Sequence, residues 1–158
     1  MIRKTIAIDP GTTESGVCVF HGKTLVDSFV ALNGLVKNQI RLVYVTGEPV
    51  HVVVEMIASY GMPVGKETFE TCVWIGRFCE ACGGAERLFR KDIKLHLCQS
   101  LRAKDAHIWQ AIVDRYGGKE SAVGSKKKPG PLYGVKSHAR AALAVGLCWL
   151  DGVRSEGL

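Results

Sequence analysis

Two acidic residues each stand at the end of an apolar run that is typical of a buried strand. Asp9 follows the run 2–8, and Glu55 closes the run 51–55. A buried carboxylate is unfavourable unless a cation or another partner compensates it. If the two strands are neighbours, the carboxylates lie within about 5 Å of each other, close enough to share one divalent ion or two ions about 4 Å apart. An all-oxygen setting favours Mg²⁺, with Mn²⁺ as a substitute, and this pairing predicts phosphodiester hydrolysis.

Simpler interpretations of both acids remain open. Asp9 precedes Pro10-Gly11, so it also suits the first position of a turn, and Glu55 also suits an ion pair with a nearby Lys or Arg. The segment 9–16 is rich in Gly and hydroxyl residues. Its backbone N–H groups could instead hold a phosphate.

The hydrophobic pattern predicts an α/β fold in which a mixed five-stranded sheet is flanked by helices. Alternating or continuous apolar runs bounded by Gly, Pro and Asp predict the strands, and longer runs with a helical period predict the helices. The predicted strands are 2–8, 17–20, 24–31, 51–55 and 93–97, and the predicted helices are 32–45, 66–81, 103–116 and 137–150.

Composition and length indicate one globular domain, 1–158, with a core of ordinary size. The longest apolar run, 141–150, is too short to span a bilayer, and no apolar signal follows the charged N-terminus, so we expect a cytoplasmic protein without a membrane partner. The formal net charge of +6 favours polyanions. The segment at about 117–136 holds five Gly and five Lys, which predicts a flexible basic loop.

Several motifs resemble one nuclease family. The segment 6–12 with Gly16 resembles the first motif of the ribonuclease H-like superfamily, in particular of RuvC-like Holliday junction resolvases, and 52–55 resembles their second acidic motif. The segments 59–65 and 74–78 are similar to the bacteriophage-type members. The resemblance implies a structure-specific endonuclease that cleaves branched DNA by a two-metal-ion mechanism and leaves 5′-phosphate and 3′-hydroxyl ends.

The last predicted helix departs from that family's pattern. The pattern places metal ligands at the positions of His138 and Ala141, and Ala has no atom that binds a metal. The spacing i, i+3 puts both positions on one helix face. Either the natural protein works with fewer ligands, or Ala141 is an Asp→Ala change that inactivates the chain.

The resemblance also suggests roles for substrate-binding residues. Lys104 stands where resolvases place a cation near the scissile phosphate, and Tyr60 or Met62 is suited to wedge between unstacked bases. The DNA-binding candidates are Tyr60, Met62, Arg102, Lys126, Lys127, Lys128 and Lys136. The alternatives to these DNA-binding roles are that the lysines are simply solvated and that Tyr60 and Met62 pack in the core.

A four-way junction is two-fold symmetric, which suits a homodimer with two equal sites. The apolar stripe of Phe69, Val73, Gly76 and Phe78 is either its interface or part of the core.

Three other functions remain open at the level of sequence. The first is a catalytically inactive protein of the same fold that binds branched DNA, and the second is an RNA-processing nuclease. The third is a phosphotransferase, because the hairpin that begins at Asp9 resembles that of the actin and Hsp70 ATPases. Those ATPases hold their nucleotide between two such domains, and 158 residues accommodate one, so we expect no nucleotide cofactor.

Overall fold

A mixed five-stranded sheet forms the centre of the fold in a computed structural model that describes residues 3–157. The order across the sheet is β3-β2-β1-β4-β5, with β1, β2 and β3 antiparallel and β1, β4 and β5 parallel. The strands are β1 Lys4–Asp9, β2 Glu14–His21, β3 Thr24–Leu32, β4 Val50–Met56 and β5 Glu86–Phe89. Ile2 of the first predicted strand lies outside the described residues, as do Met1 and Leu158 of the predicted domain.

Six helices accompany the sheet in this part of the chain. They are α1 Asn33–Val45, α2 Lys66–Ala81, α3 Arg90–Cys98, α4 Asp105–Arg115, α5 Lys119–Ala122 and α6 His138–Leu150. The predicted architecture, a mixed five-stranded sheet flanked by helices, is therefore confirmed.

The prediction of a strand at 93–97 is wrong. The fifth strand is β5, which precedes this segment, and 93–97 lies in helix α3. Ile93 and Leu97 face the core four residues apart, whereas Leu95 is 45% exposed. A helix buries positions i and i+4, and a strand would have buried all three. Over only five residues, alternation of apolar and polar side chains does not distinguish the period of a strand from that of a helix.

The basic segment 117–136 has more regular structure than the sequence predicts. It contains helix α5 and a backbone bridge between Gly124 and Pro129. Ala122, Leu132 and Val135 are buried in the main core. These three apolar side chains anchor the segment, while its Lys126–Lys128 run is exposed.

Each face of the sheet covers its own core. Ile6, Ile8 and Val54 pack on the side of α1 and α2, whereas Ala7 and Val53 pack under α6. Side chains alternate between faces along a strand. Ala7 is small, and Gly146 of α6 lies directly above it, so the helix approaches β1 and β2 closely.

We expect Gly146→Ala to destabilise the protein by about 1–3 kcal/mol, although Ala is the better helix former. A Cβ at position 146 would overlap the buried ring of Phe20 and lie 3.0 Å from the Cβ of Ala7. Gly76 is the matched control, because it is exposed on α2 and a Cβ added there would meet no atom within 4 Å. Urea unfolding should show Gly76→Ala unchanged or more stable, and equal stability of Gly146→Ala and the wild type would contradict this packing.

The apolar stripe of α2 divides between core and surface. Phe78 is fully buried, so it belongs to the core rather than to an interface. Phe69 and Val73 are 62% and 48% exposed.

Within the described residues, no helix has both the length and the apolar character needed to cross a membrane.

Candidate active site

The parallel pair β1 and β4 brings the two predicted acids together. Ile8 pairs with Val54, so Asp9 and Glu55 occupy the next, adjacent positions at the carboxyl ends of the strands. Both acids follow the same alternation as Ala7 and Val53, which face α6. The sequence condition for a shared site, that these two strands are neighbours, is therefore met.

Helix α6 begins at His138, the third predicted residue, and brings it to the carboxyl ends of β1 and β4. A Cβ on Gly16 of β2 would overlap the carbonyl of His138, so only glycine permits this approach. The Cys18 thiol donates a hydrogen bond to the Ala139 carbonyl at 3.2 Å. Ser137 has φ 49° and ψ −133°, a strained backbone conformation, directly before the helix. The start of α6 is thus fixed against β2.

His138 contacts Asp9 directly. Its Nδ1 lies 2.8 Å from Asp9 Oδ2 and donates a hydrogen bond to the carboxylate. Because an ionised carboxylate only accepts, the ring proton in this contact lies on Nδ1. Three residues separated by up to 129 positions thus meet at one end of the sheet.

Two further charged residues belong to the site, and the sequence analysis missed both. Arg90 begins α3, and its guanidinium lies 3.4 Å from the Glu55 carboxylate. The same guanidinium pairs with Asp105, the first residue of α4. Asp105 directly follows Lys104 in a segment singled out from the sequence, so an acid at a helix start was the available signal. No sequence signal pointed to Arg90, because the segment 93–97 of its helix is predicted as a strand.

Glu55 is buried and Asp9 is partly buried, and the neighbouring cations compensate their negative charges only in part. Desolvation, followed by the neighbouring charge of Asp9, raises the pKa of Glu55 to about 8, and Arg90 only partly opposes this. Desolvation also raises the pKa of Asp9, against the lowering effect of His138. Glu55 is 6% exposed. The site therefore carries buried negative potential that an additional cation would neutralise.

A cavity of about 650 Å³ joins these groups. Ala141 also lines it, as does Arg140, whose guanidinium stacks 4.1 Å from the ring centroid of Trp109. Arg140 Nε donates to the Val135 carbonyl at 3.2 Å, which fixes the plane of the guanidinium. Its two terminal nitrogens make no hydrogen bond among the described residues and suit an anionic ligand.

The donor set fits a hard divalent cation. Asp9, Glu55 and Asp105 supply carboxylate oxygens, and His138 supplies a ring nitrogen, around one cavity. Within residues 3–157, no group of three or more Asp, Glu, His or Cys side chains is arranged so that it could hold one metal ion. The Arg90 guanidinium lies between Glu55 and Asp105 instead.

We expect Glu55→Gln to raise the free energy of unfolding in EDTA at pH 8 by on the order of 2–4 kcal/mol. The folded-state pKa is about 8, above the ordinary value of 4.5, so between these pH values the folded protein holds a proton that the unfolded chain has released. The stability of the wild type consequently falls as pH rises through this window, and the Gln variant lacks that contribution.

The measurement is urea unfolding at pH 5 and pH 8. Glu80→Gln serves as the control, because Glu80 is exposed on α2. A wild-type and a Glu55→Gln protein with the same pH dependence would contradict the environment described for Glu55.

The other predicted residues lie outside the cavity lining. Lys104 is exposed at the start of α4, and Arg102 lines a different cavity beside His107. Tyr60 and Met62 are 62% and 71% exposed, so they are not core residues. Lys126, Lys127, Lys128 and Lys136 are all exposed. Their roles in binding DNA stay predictions.

Solved structures of known proteins share the fold of this chain. RuvC of Thermus thermophilus matches with a TM-score of 0.66 and 17% sequence identity over 91% of each chain. T. thermophilus RuvC in complex with a Holliday junction substrate matches with a TM-score of 0.64 and 18% identity, over 95% of this chain and 96% of that chain. No protein-family model and no curated protein matches the sequence. The chain thus has a RuvC-like, ribonuclease H-like α/β fold, as the motifs predict.

Proposed function

We propose that this protein is a Mg²⁺-dependent endonuclease that cleaves Holliday junctions and other branched DNA. The observation that carries the proposal is the convergence of Asp9, Glu55 and His138 on one cavity at the carboxyl edge of a RuvC-like sheet. The products are 5′-phosphate and 3′-hydroxyl ends. The motif resemblance assigns the protein, within this proposal, to the bacteriophage type of resolvase.

The side chains of the site have separate roles in this proposal. Asp9, Glu55 and His138 would hold two Mg²⁺ or Mn²⁺ ions, with Asp9 contributing to both, Glu55 to one and His138 to the other. When bound, such ions lower the pKa of an attacking water and stabilise the charge on the leaving 3′ oxygen. The hydrogen bond between His138 and Asp9 holds both side chains in orientation.

The positive charge of the chain supplies the DNA contacts. Arg140 lines the cavity, and the exposed cations outside its lining are Lys104, Arg102, Lys126–Lys128 and Lys136. Such residues bind phosphates without reading the sequence of bases. One solved structure with this fold is T. thermophilus RuvC in complex with a Holliday junction substrate, which supports a branched DNA partner here.

Two further features suit a junction. Tyr60 and Met62 follow Glu55 on an exposed loop, where an apolar side chain can enter an unstacked base step. A homodimer supplies the two cuts that a two-fold symmetric junction requires. The exposed Phe69 and Val73 on α2 are our candidates for its interface.

A second function is favoured by one specific observation. Ala141 lines the cavity at the position where the resemblance places a metal ligand. Without a ligand there, the protein would bind branched DNA without cleaving it. The two functions differ in products and share the same substrate, so one assay separates them.

The test uses labelled four-way, three-way and linear duplex DNA together with a stem-loop RNA. The wild type and Ala141→Asp are incubated with each in Mg²⁺, in Mn²⁺ and in EDTA. We expect the wild type to cleave the branched DNAs with either metal and to leave them intact in EDTA. Binding without cleavage by both variants would identify a binding protein, and preferential cleavage of the RNA would identify an RNA-processing nuclease.

A further inference from the structure

Arg90 lies in an unusual position between two carboxylates of the cavity. Its NH1 faces the buried Glu55, and its NH2 pairs with Asp105. The Asp105 side chain is 89% exposed, and an exposed ion pair contributes little to stability. Stability alone therefore does not account for an acid at this place.

The charges of the cavity leave an excess of acid. Asp9, Glu55 and Asp105 line it together, and Arg90 is the permanently charged cation that contacts two of them. Arg90 thus stands where a divalent cation would compensate the same carboxylates more strongly. Its guanidinium reaches the site on a long, flexible side chain from the first residue of α3.

The position of Asp105 relates to the alanine at 141. Both residues line the same cavity, Asp105 from the start of α4 and Ala141 from the first turn of α6. Ala141 offers no ligand atom, whereas Asp105 offers a carboxylate from the facing helix. One cavity wall thus has no ligand atom at position 141, and another wall holds an exposed carboxylate whose partner is Arg90.

We propose that Asp105 supplies the carboxylate that position 141 lacks, and that a divalent cation enters by displacing the Arg90 guanidinium from between Glu55 and Asp105. This inference rests on the proposed function, since it concerns the same site. Arg90 would then hold the metal-free site together, and after displacement its guanidinium would remain beside the cavity as a partner for a DNA phosphate.

Binding of Mn²⁺, measured by electron paramagnetic resonance without DNA, tests the inference apart from activity. We expect Asp105→Asn to weaken Mn²⁺ binding at least about tenfold and Arg90→Gln to strengthen it at least about threefold. The controls are Asp114→Asn on the same helix and Arg87→Gln on β5, because neither residue lines the cavity. Both controls should bind Mn²⁺ as the wild type does.

Two further variants keep the test decisive. If Arg90→Gln does not fold in EDTA, Arg90→Lys retains the charge but not the two-sided guanidinium contact, and it should also bind Mn²⁺ more tightly than the wild type. The double variant Asp105→Asn with Ala141→Asp should regain the lost affinity, because a carboxylate returns at the other wall. Ala141→Asp alone should change cleavage less than about tenfold if Asp105 already fills this role.

The outcomes separate the inference from the proposed function. Asp105→Asn that binds Mn²⁺ like the wild type, or a rise in cleavage of several orders of magnitude in Ala141→Asp, would overturn the role of Asp105. Arg90 variants with unchanged or weaker Mn²⁺ binding would overturn the displacement of Arg90. In each of these cases the proposed nuclease stands, whereas absence of Mn²⁺ binding to both the wild type and Ala141→Asp would overturn the proposed function itself.

Discussion

Replacing Asp9 with Asn should lower the rate of Mg²⁺-dependent cleavage of a four-way junction by at least about 10³-fold, which corresponds to several kcal/mol of transition-state stabilisation. Asp9 is the acid that contacts both sides of the site, since it adjoins Glu55 in the sheet and accepts a hydrogen bond from His138. The amide has nearly the same shape but no charge for the metal. Single-turnover cleavage rates at saturating protein measure the effect.

Junction binding is the internal reference for this variant. In the proposed function the DNA contacts come from cations other than the residues of this site, so Asp9→Asn should bind the junction within about threefold of the wild type in a salt-matched gel shift. Asp27→Asn is the control substitution, because Asp27 is an exposed acid on the edge strand β3 and does not line the cavity. If Asp9→Asn cleaves within tenfold of the wild type, as Asp27→Asn should, Asp9 has no central role.

The second large effect concerns a residue without a functional group. We expect Gly16→Ala to destabilise the protein by about 3 kcal/mol and to lower cleavage at least about 100-fold in the fraction that remains folded. The added Cβ would overlap the carbonyl of His138 and lie 2.6 Å from the nitrogen of Ala139. Backbone cannot move aside as a flexible side chain can, so the start of α6 must shift away from Asp9.

Urea unfolding and cleavage at a temperature where the variant is folded measure the two effects separately. Gly34→Ala is the matched control, because Gly34 lies exposed on α1 and a Cβ added there would have open space for 4 Å around it. A Gly16→Ala protein that is as stable and as active as Gly34→Ala would show that α6 does not depend on this close approach.

The sequence predicted the parts of the site that follow from a strong local pattern. Continuous β-branched residues before Glu55 indicate an interior strand, and Asp9 ends a strand at Pro10-Gly11. A strand fixes the direction of its side chains by alternation, so two adjacent parallel strands suffice to pair the two acids. His138 entered through its motif, and the helix that carries it was evident from its apolar run.

Arg90 and Asp105 were not predictable in the same way. Their places depend on how α3 and α4 pack against the sheet, which is a matter of tertiary contacts rather than of local periodicity. The segment 93–97 illustrates the ambiguity, because Ile93 and Leu97 suit both a strand and a helix. With this segment predicted as a strand, nothing in the sequence indicates that Arg90 faces the acids.

The segment 117–136 shows a similar limit. Its glycines and lysines dominate the composition, yet three apolar residues, Ala122, Leu132 and Val135, decide where it packs. They belong to the same buried cluster as Ala142 and Leu143 of α6, and no short window of sequence reveals such partners. The lysines of this segment are exposed, and their contact with DNA stays a prediction.

We propose that the carboxyl ends of β1 and β4, with the start of α6, form a divalent metal site. An anomalous difference map from crystals grown with Mn²⁺ tests this most directly. We expect a peak within about 2.0–2.6 Å of carboxylate oxygens of both Asp9 and Glu55. A map with Mn²⁺ bound elsewhere, and Arg90 still paired with Glu55 at saturating metal, would contradict it.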